Sequence, residues 1–370
     1  MHRITNPLLI KMLNEPLAFS DKDFDDLIAS YLLDNKKYAV QKAFDDFRQC
    51  IRHIYDINED RLKETSCANT GIMGVLNKRS TDKRQKKYFK RIANQKTSQK
   101  YVKIYVEGDS WFLFPLFVKD IVDWLSKNPH YLLYSDAYGG DWLTNIIYEG
   151  QYIEALTVHD PDVFLISGGG NDLVGNERLA VMVSGKAQQK SKHTPETLAD
   201  ISDASQRELI LLAQPYITKD FYSFIWTLKA QFTMLFKGIY ENTTKFKDMI
   251  TITHGYAYPY PKKGNNFSLG TPLQPLVNKV AETGKWLFRP LMIKGILDPR
   301  LQQALAMTFI YEYNEMLIDL SKKFANVHHI DCRDIPQKQS DWYDELHLKS
   351  HKYKQVAQRY QSLIDSKFKT

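Results

Sequence analysis

The chain has 370 residues, of which 43% are hydrophobic, 25% charged and 13% aromatic; that length allows about two or three domains, or one domain with insertions. The composition excludes collagen, a mucin-like stalk and a wholly disordered chain. Three cysteines (Cys50, Cys67, Cys332) are too few and too scattered for a disulfide scaffold and read as ordinary buried thiols. The formal net charge of +7 is local: residues 78–100 hold ten Lys or Arg and one acid, Asp82, whereas residues 101–370 are balanced.

No run of about 18 or more apolar residues occurs, so no transmembrane helix is expected. The N-terminus, Met1-His2-Arg3-Ile4-Thr5-Asn6-Pro7, carries no signal-peptide pattern, and the expected location is cytoplasmic. Ser20-Asp21-Lys22-Asp23 reads as a capping box. Phe24, Leu27, Ile28, Tyr31 and Leu32 follow it at helical spacing. A second amphipathic helix spans Tyr38 to Tyr55, with Val40, Ala43, Phe44, Phe47, Ile51 and Ile54 along one side. Residues 1–77 therefore read as a helical N-terminal extension. Residues 78–100 read as a basic linker or arm, either a solvated linker or helix face or a segment drawn to an anionic surface or partner. Its one aromatic pair, Tyr88 and Phe89, is too little for a base-stacking platform, so no specific nucleic-acid binding is expected.

From residue 101 the pattern becomes α/β. Tyr101–Val106 reads as a strand running into Glu107-Gly108-Asp109-Ser110 and then an amphipathic helix to about Ser126. Further strands are expected at Val163–Ser167, Met249–Thr253 and Val327–Asp331, and a last helix at about 350–366. Short apolar strands alternating with helices imply a parallel sheet with helices on both faces. Sites in such sheets form at the carboxyl ends of the strands. Residues 175–247, largely helical, and 256–300, rich in Pro, Gly and Tyr, read as insertions into a domain of residues 101–370.

Three segments at this edge carry chemistry together: Gly108-Asp109-Ser110, Gly169-Gly170-Asn171-Asp172 and Asp344-Glu345-Leu346-His347. A serine hydroxyl is a poor nucleophile until a base takes its proton. An imidazole serves as that base, and a carboxylate fixes its tautomer and stabilises its cation. Asp344 and His347 are three apart, so one turn presents both on the same side. A tetrahedral intermediate needs donors for its oxyanion, which a backbone N–H, a close-approach glycine and an asparagine amide supply.

These blocks resemble the SGNH, or GDSL, hydrolases, a family of serine esterases and lipases. The resemblance implies a flavodoxin-like three-layer α/β/α sandwich with a central parallel sheet over roughly residues 101–366. It implies Ser110 as nucleophile, His347 as base and Asp344 as its orienting carboxylate. It also implies an oxyanion hole of the Ser110 N–H, a glycine N–H and the Asn171 side chain. The second-block glycine is matched in Tyr138-Gly139-Gly140-Asp141-Trp142, with Gly140 preferred and Gly139 the near alternative. The implied reaction is hydrolysis of a lipid or other small acyl ester through an acyl-enzyme, with neither metal nor cofactor. Two departures bear on the substrate class: a hundred residues precede the serine block, and Asn171 and Asp344 are farther apart than a compact member needs.

Other readings fare worse. A metallophosphoesterase needs clustered ligands for two metals; no D-x-H segment precedes Gly108, and Asp172 rather than His follows Asn171. Neither G-x-G-x-x-G (position 173 is Leu) nor G-x-x-x-x-G-K-[ST] occurs, and the elbow G-x-S-x-G is absent. A catalytically silent binding module, using 78–100 as its working part, is the alternative. His254, at a strand end, is a candidate pocket residue or a structural histidine. His351 is a rival base without an acid three residues earlier, since position 348 is Leu.

Overall fold

The computed structural model describes residues 4–32, 37–55, 72–95, 99–114, 118–175, 178–188, 191–241, 244–263 and 286–368. Cys67 and residues 264–285 of the expected second insertion lie outside these. The chain divides into two compact units, one of residues 1–63, 173–234 and 259–316, the other of residues 64–172, 235–258 and 317–370.

Helix α1 (Pro7–Asn14) starts where sequence rules place a start, with proline at its first position and the Asn6 side chain accepting from the Leu8 N–H at 3.0 Å. The capping box closes as read: Ser20 Oγ accepts from the Asp23 N–H at 3.1 Å, and Asp23 Oδ2 accepts from the Ser20 N–H at 2.8 Å. It opens α2 (Asp21–Leu32), which buries Phe24, Leu27, Ile28 and Tyr31. In α3 (Lys37–Tyr55), Ala43, Phe47, Ile51 and Ile54 are buried, and so is Cys50.

Helix α4 (Ile72–Ala93) revises the reading of a basic linker or arm, because the boundary at 77 falls inside it and residues 78–93 are helical. Its basic composition is tolerated because one face is fastened down. Arg84 pairs with Asp120 at 2.6 Å and Asp123 at 3.0 Å. Gln85 donates to Asp136 at 2.8 Å, and Arg91 donates to the Tyr131 carbonyl at 2.8 Å.

The sheet follows: β1 (Val102–Glu107), α5 (Ile121–Leu125), β2 (Tyr131–Ser135), α6 (Leu143–Glu149), α7 (Gln151–His159), β3 (Val163–Ile166) and α8 (Gly170–Val174). The first unit then takes α9 (Leu179–Met182) and α10 (Ala204–Ala213). After α11 (Lys219–Tyr240) come β4 (Ile250–His254), α12 (Phe288–Ile293), α13 (Pro299–Lys323), β5 (Val327–Ile330) and α14 (Ser350–Phe368). The five strands are all parallel, in the order β2-β1-β3-β4-β5, and helices flank them in a three-layer α/β/α arrangement. That is the flavodoxin-like order, whose direction reverses between β1 and β3. β3 and β4 are buried along their whole length, as a sheet covered on both faces requires.

Two expectations are corrected. β2 was not anticipated; Tyr131-Leu132-Leu133-Tyr134 is a short apolar run without alternation, and only its pairing with β1 identifies it. No helix runs from Ser110 to Ser126. Residues 109–113 form a turn in which the Phe112 and Leu113 N–H groups donate to the Asp109 carbonyl at 3.0 Å. Helix α5 begins only at Ile121, capped by Asp120.

In the first unit, α1 and α11 meet where Ser223 Oγ donates to the Met12 carbonyl at 2.8 Å. Phe19 and Phe24 pack on Trp226, and Phe221 lies 4.3 Å from Phe309. The N-terminal extension and much of both insertions, separate in sequence, thus contribute to one helical unit. Among the described residues, no helix is long and apolar enough to cross a membrane.

Candidate active site

The strand order places the segments after β1 and β3 on either side of the switch point, and both carry sequence blocks. Gly108 has φ +149, and an added Cβ would lie 2.6 Å from the Ser167 carbonyl oxygen. Only glycine lets β1 turn this tightly against the end of β3. The turn that follows presents Ser110, partly exposed.

Ser110 Oγ lies 2.7 Å from His347 Nε2. On the far side of the ring, His347 Nδ1 lies 2.8 and 3.0 Å from the two carboxylate oxygens of Asp344. Three-residue spacing brings this about because Asp344 Oδ1 also accepts from the Leu346 and His347 N–H groups at 2.8 and 2.7 Å. That tight turn folds the imidazole back over its own carboxylate. Trp111 Nε1 donates to the Leu346 carbonyl at 3.0 Å, tying the turn to the segment that carries Ser110. Phe114 closes one side of the imidazole, ring centres 4.5 Å apart. His347 is 6% exposed and Asp344 3%.

The Asn171 side chain reaches the residue after Gly140: Asn171 Nδ2 donates to the Asp141 carbonyl at 2.8 Å. Gly140 has φ +91, a conformation that favours glycine. The Ser110 and Gly140 N–H groups donate to no acceptor among the described residues. Gly139 plays another part. Its carbonyl accepts from Asn77 Nδ2 on α4 at 2.9 Å. Asp172 accepts from the Leu143 and Thr144 N–H groups at 2.8 and 3.3 Å, capping α6 from outside and fixing the loop after β2 against that after β3.

Sequence reasoning missed the residues that join the blocks. Tyr256, at the head of the Pro-, Gly- and Tyr-rich segment, donates its hydroxyl to Asp109 Oδ2 and accepts from the Gly170 N–H at 3.0 Å. A Cβ on Gly170 would fall 2.6 Å from the Tyr256 ring, so glycine is what lets the ring close in. Ser167 Oγ donates to Asp109 Oδ1 at 2.7 Å, and the Trp111 N–H donates to the same oxygen at 3.0 Å. A polar residue at the end of β3 was the only available signal for Ser167.

A second Ser-His-Asp set therefore lies beneath the first. Ser167 Oγ is 3.4 Å from His254 Nε2, and His254 Nδ1 is 2.8 Å from the Tyr360 hydroxyl. His254 is 1% exposed, stacks on Trp111 and is a structural histidine rather than a pocket residue. Burial, with His329 nearby, pushes its pKa down to about 3. His351 is exposed, with the Asp341 carboxylate 3.8 Å away.

Buried acids stand near the site. Burial pushes Glu107 up to about 8, with Asp141 and Asp136 adding to it. Burial likewise raises Asp141 to about 7. Among the described residues, no group of three or more His, Cys, Asp or Glu could hold a metal ion.

No family model matches the chain, and no curated protein matches it. Solved structures do. One described as a GDSL-like lipase from Parabacteroides merdae aligns at 12% identity and a TM-score of 0.38, covering 71% of this chain and 95% of the other. A Clostridium thermocellum family 3 carbohydrate esterase aligns at 14% identity and 0.37, covering 72% and 98%. A carbohydrate acetylesterase from Sinorhizobium meliloti aligns at 9% identity and 0.38, covering 72% and 100%.

Proposed function

We propose that the chain is a serine ester hydrolase of the SGNH type, acting on a lipid or other acyl ester. The observation that carries this reading is the continuous line from Ser110 Oγ through His347 to the Asp344 carboxylate, with both contacts at hydrogen-bond length. Ser110 Oγ attacks the ester carbonyl while His347 Nε2 takes its proton. Asp344 holds Nδ1 protonated and stabilises the resulting imidazolium. His347 then returns the proton to the leaving alcohol, and water repeats the sequence on the acyl-enzyme. The oxyanion is received by the Ser110 and Gly140 N–H groups and by Asn171, whose amide has a second N–H beyond the one given to Asp141.

Ser110 lies in a turn rather than on a helix, so the help comes from these individual donors and not from a helix dipole. Fluorophosphonate labelling, with hydrolysis of an ester series of increasing acyl length, tests the reading. Labelling that disappears in Ser110→Ala and His347→Ala supports it. A folded wild-type protein that neither labels nor turns over any ester would overturn it.

A further inference from the structure

Helix α4 has a second face that the fold does not use. Asn77, Arg84, Gln85, Tyr88 and Arg91 are committed inward. Lys78, Arg79, Lys83, Lys86 and Lys90 are exposed and form no ion pair with a described residue. At about 100° per residue, Arg79, Lys83, Lys86 and Lys90 form one outward stripe, and Val75 and Phe89 border it. Those two apolar side chains are 52% and 55% exposed. The stripe holds a single acid, Asp82. Such a helix spans about 33 Å, and its inward contacts fasten one face down.

We propose that this face of α4 docks on a lipid surface carrying anionic phospholipids. Unneutralised lysines supply charge complementary to the headgroups. Val75 and Phe89 supply apolar surface that water covers at a cost and an interface takes up. A nucleic acid would use the charge but leave those side chains without a role, since one exposed ring makes no stacking platform. The inference stands apart from the catalytic reading, because it concerns binding only.

The test is sedimentation of the full chain with vesicles of phosphatidylcholine, with and without phosphatidylserine. Binding is expected only with phosphatidylserine, falling steeply as salt shortens the range of charge attraction. Lys83→Glu/Lys86→Glu/Lys90→Glu is expected to weaken it at least on the order of 100-fold, and Phe89→Ser to weaken the part that survives salt. The three lysines are exposed, and Phe89 is more than half exposed although its ring also meets Tyr88 and Tyr134, so the helical circular dichroism should be unchanged. Failure of the wild type to bind phosphatidylserine vesicles at low salt, equal binding by the triple variant, or tighter binding to single-stranded RNA than to vesicles would each overturn the proposal.

Discussion

Two clusters of the same three residue types meet at neighbouring residues, Asp109 and Ser110, and their chemistry differs. In the upper one, histidine stands between serine and aspartate: Ser110, His347, Asp344. In the lower one, serine stands between aspartate and histidine: Asp109, Ser167, His254. The order decides what each cluster can do chemically. His347 has its far nitrogen occupied by a carboxylate, leaving the near nitrogen to take the serine proton. Ser167 already gives its proton to Asp109 at 2.7 Å, and its contact with His254 is a long 3.4 Å. The Tyr360 hydroxyl donating to Nδ1 would leave His254 with N–H, not a lone pair, facing Ser167. Access separates them as well: Asp109, Ser167 and His254 are each 1% exposed, whereas Ser110 is open to solvent in part. Composition alone does not make a catalytic triad; connectivity and access do.

The comparison breaks most sharply at the serines. Ser110→Ala is expected to lower turnover by about 10⁴-fold or more and to abolish labelling. Ser167→Ala is expected to keep labelling and to lose about 1–3 kcal/mol of stability, because Asp109 is buried with one donor fewer. The reverse result in a chemical denaturation and labelling series would exchange the two roles. Asn171→Ala is expected to reduce kcat by about 10²–10³-fold with little change in KM.

Tyr256→Phe sharpens the comparison from below. It removes the hydroxyl that joins Asp109 to the Gly170 N–H and so loosens the start of α8, which carries Asn171. A stability loss of about 1–3 kcal/mol is expected, with a smaller fall in kcat than Asn171→Ala causes. Unchanged kcat would make Tyr256 structural only.

The last expected effect is on stability as pH changes. Glu107 and Asp141 are held above their unfolded values, so the folded state binds their protons more tightly. Their contribution to stability is complete below the unfolded values and is lost as pH rises through about 4 to about 8. Thermal melting across that range should show a decline that Glu107→Gln flattens.

Much of this was legible in the sequence. Four strands and the three chemical blocks stood out because β-branched runs and glycine-rich turns are local signals. The D-x-x-H turn was legible because its chemistry is contained within four residues. What escaped depends on partners far away in the chain. β2 is recognisable only by its neighbour β1. Tyr256 acquires meaning only when β4 delivers it beside residues 109 and 170. The basic segment misled because charge is counted without regard to which side of a helix it occupies; Arg84 and Arg91 point inward while Lys83, Lys86 and Lys90 do not.

The contact between Asn77 and the Gly139 carbonyl has a practical reach. β2 is an outer strand of the sheet, and α4 covers it: Arg91 occupies the Tyr131 carbonyl, and Tyr88 packs on Tyr134. A fragment cut to begin at Tyr101 would keep every residue of the proposed triad. It would also uncover a sheet margin that invites strand-to-strand self-association and leave the glycine loop without its anchor. Any fragment meant to keep that margin covered has to begin ahead of Ile72.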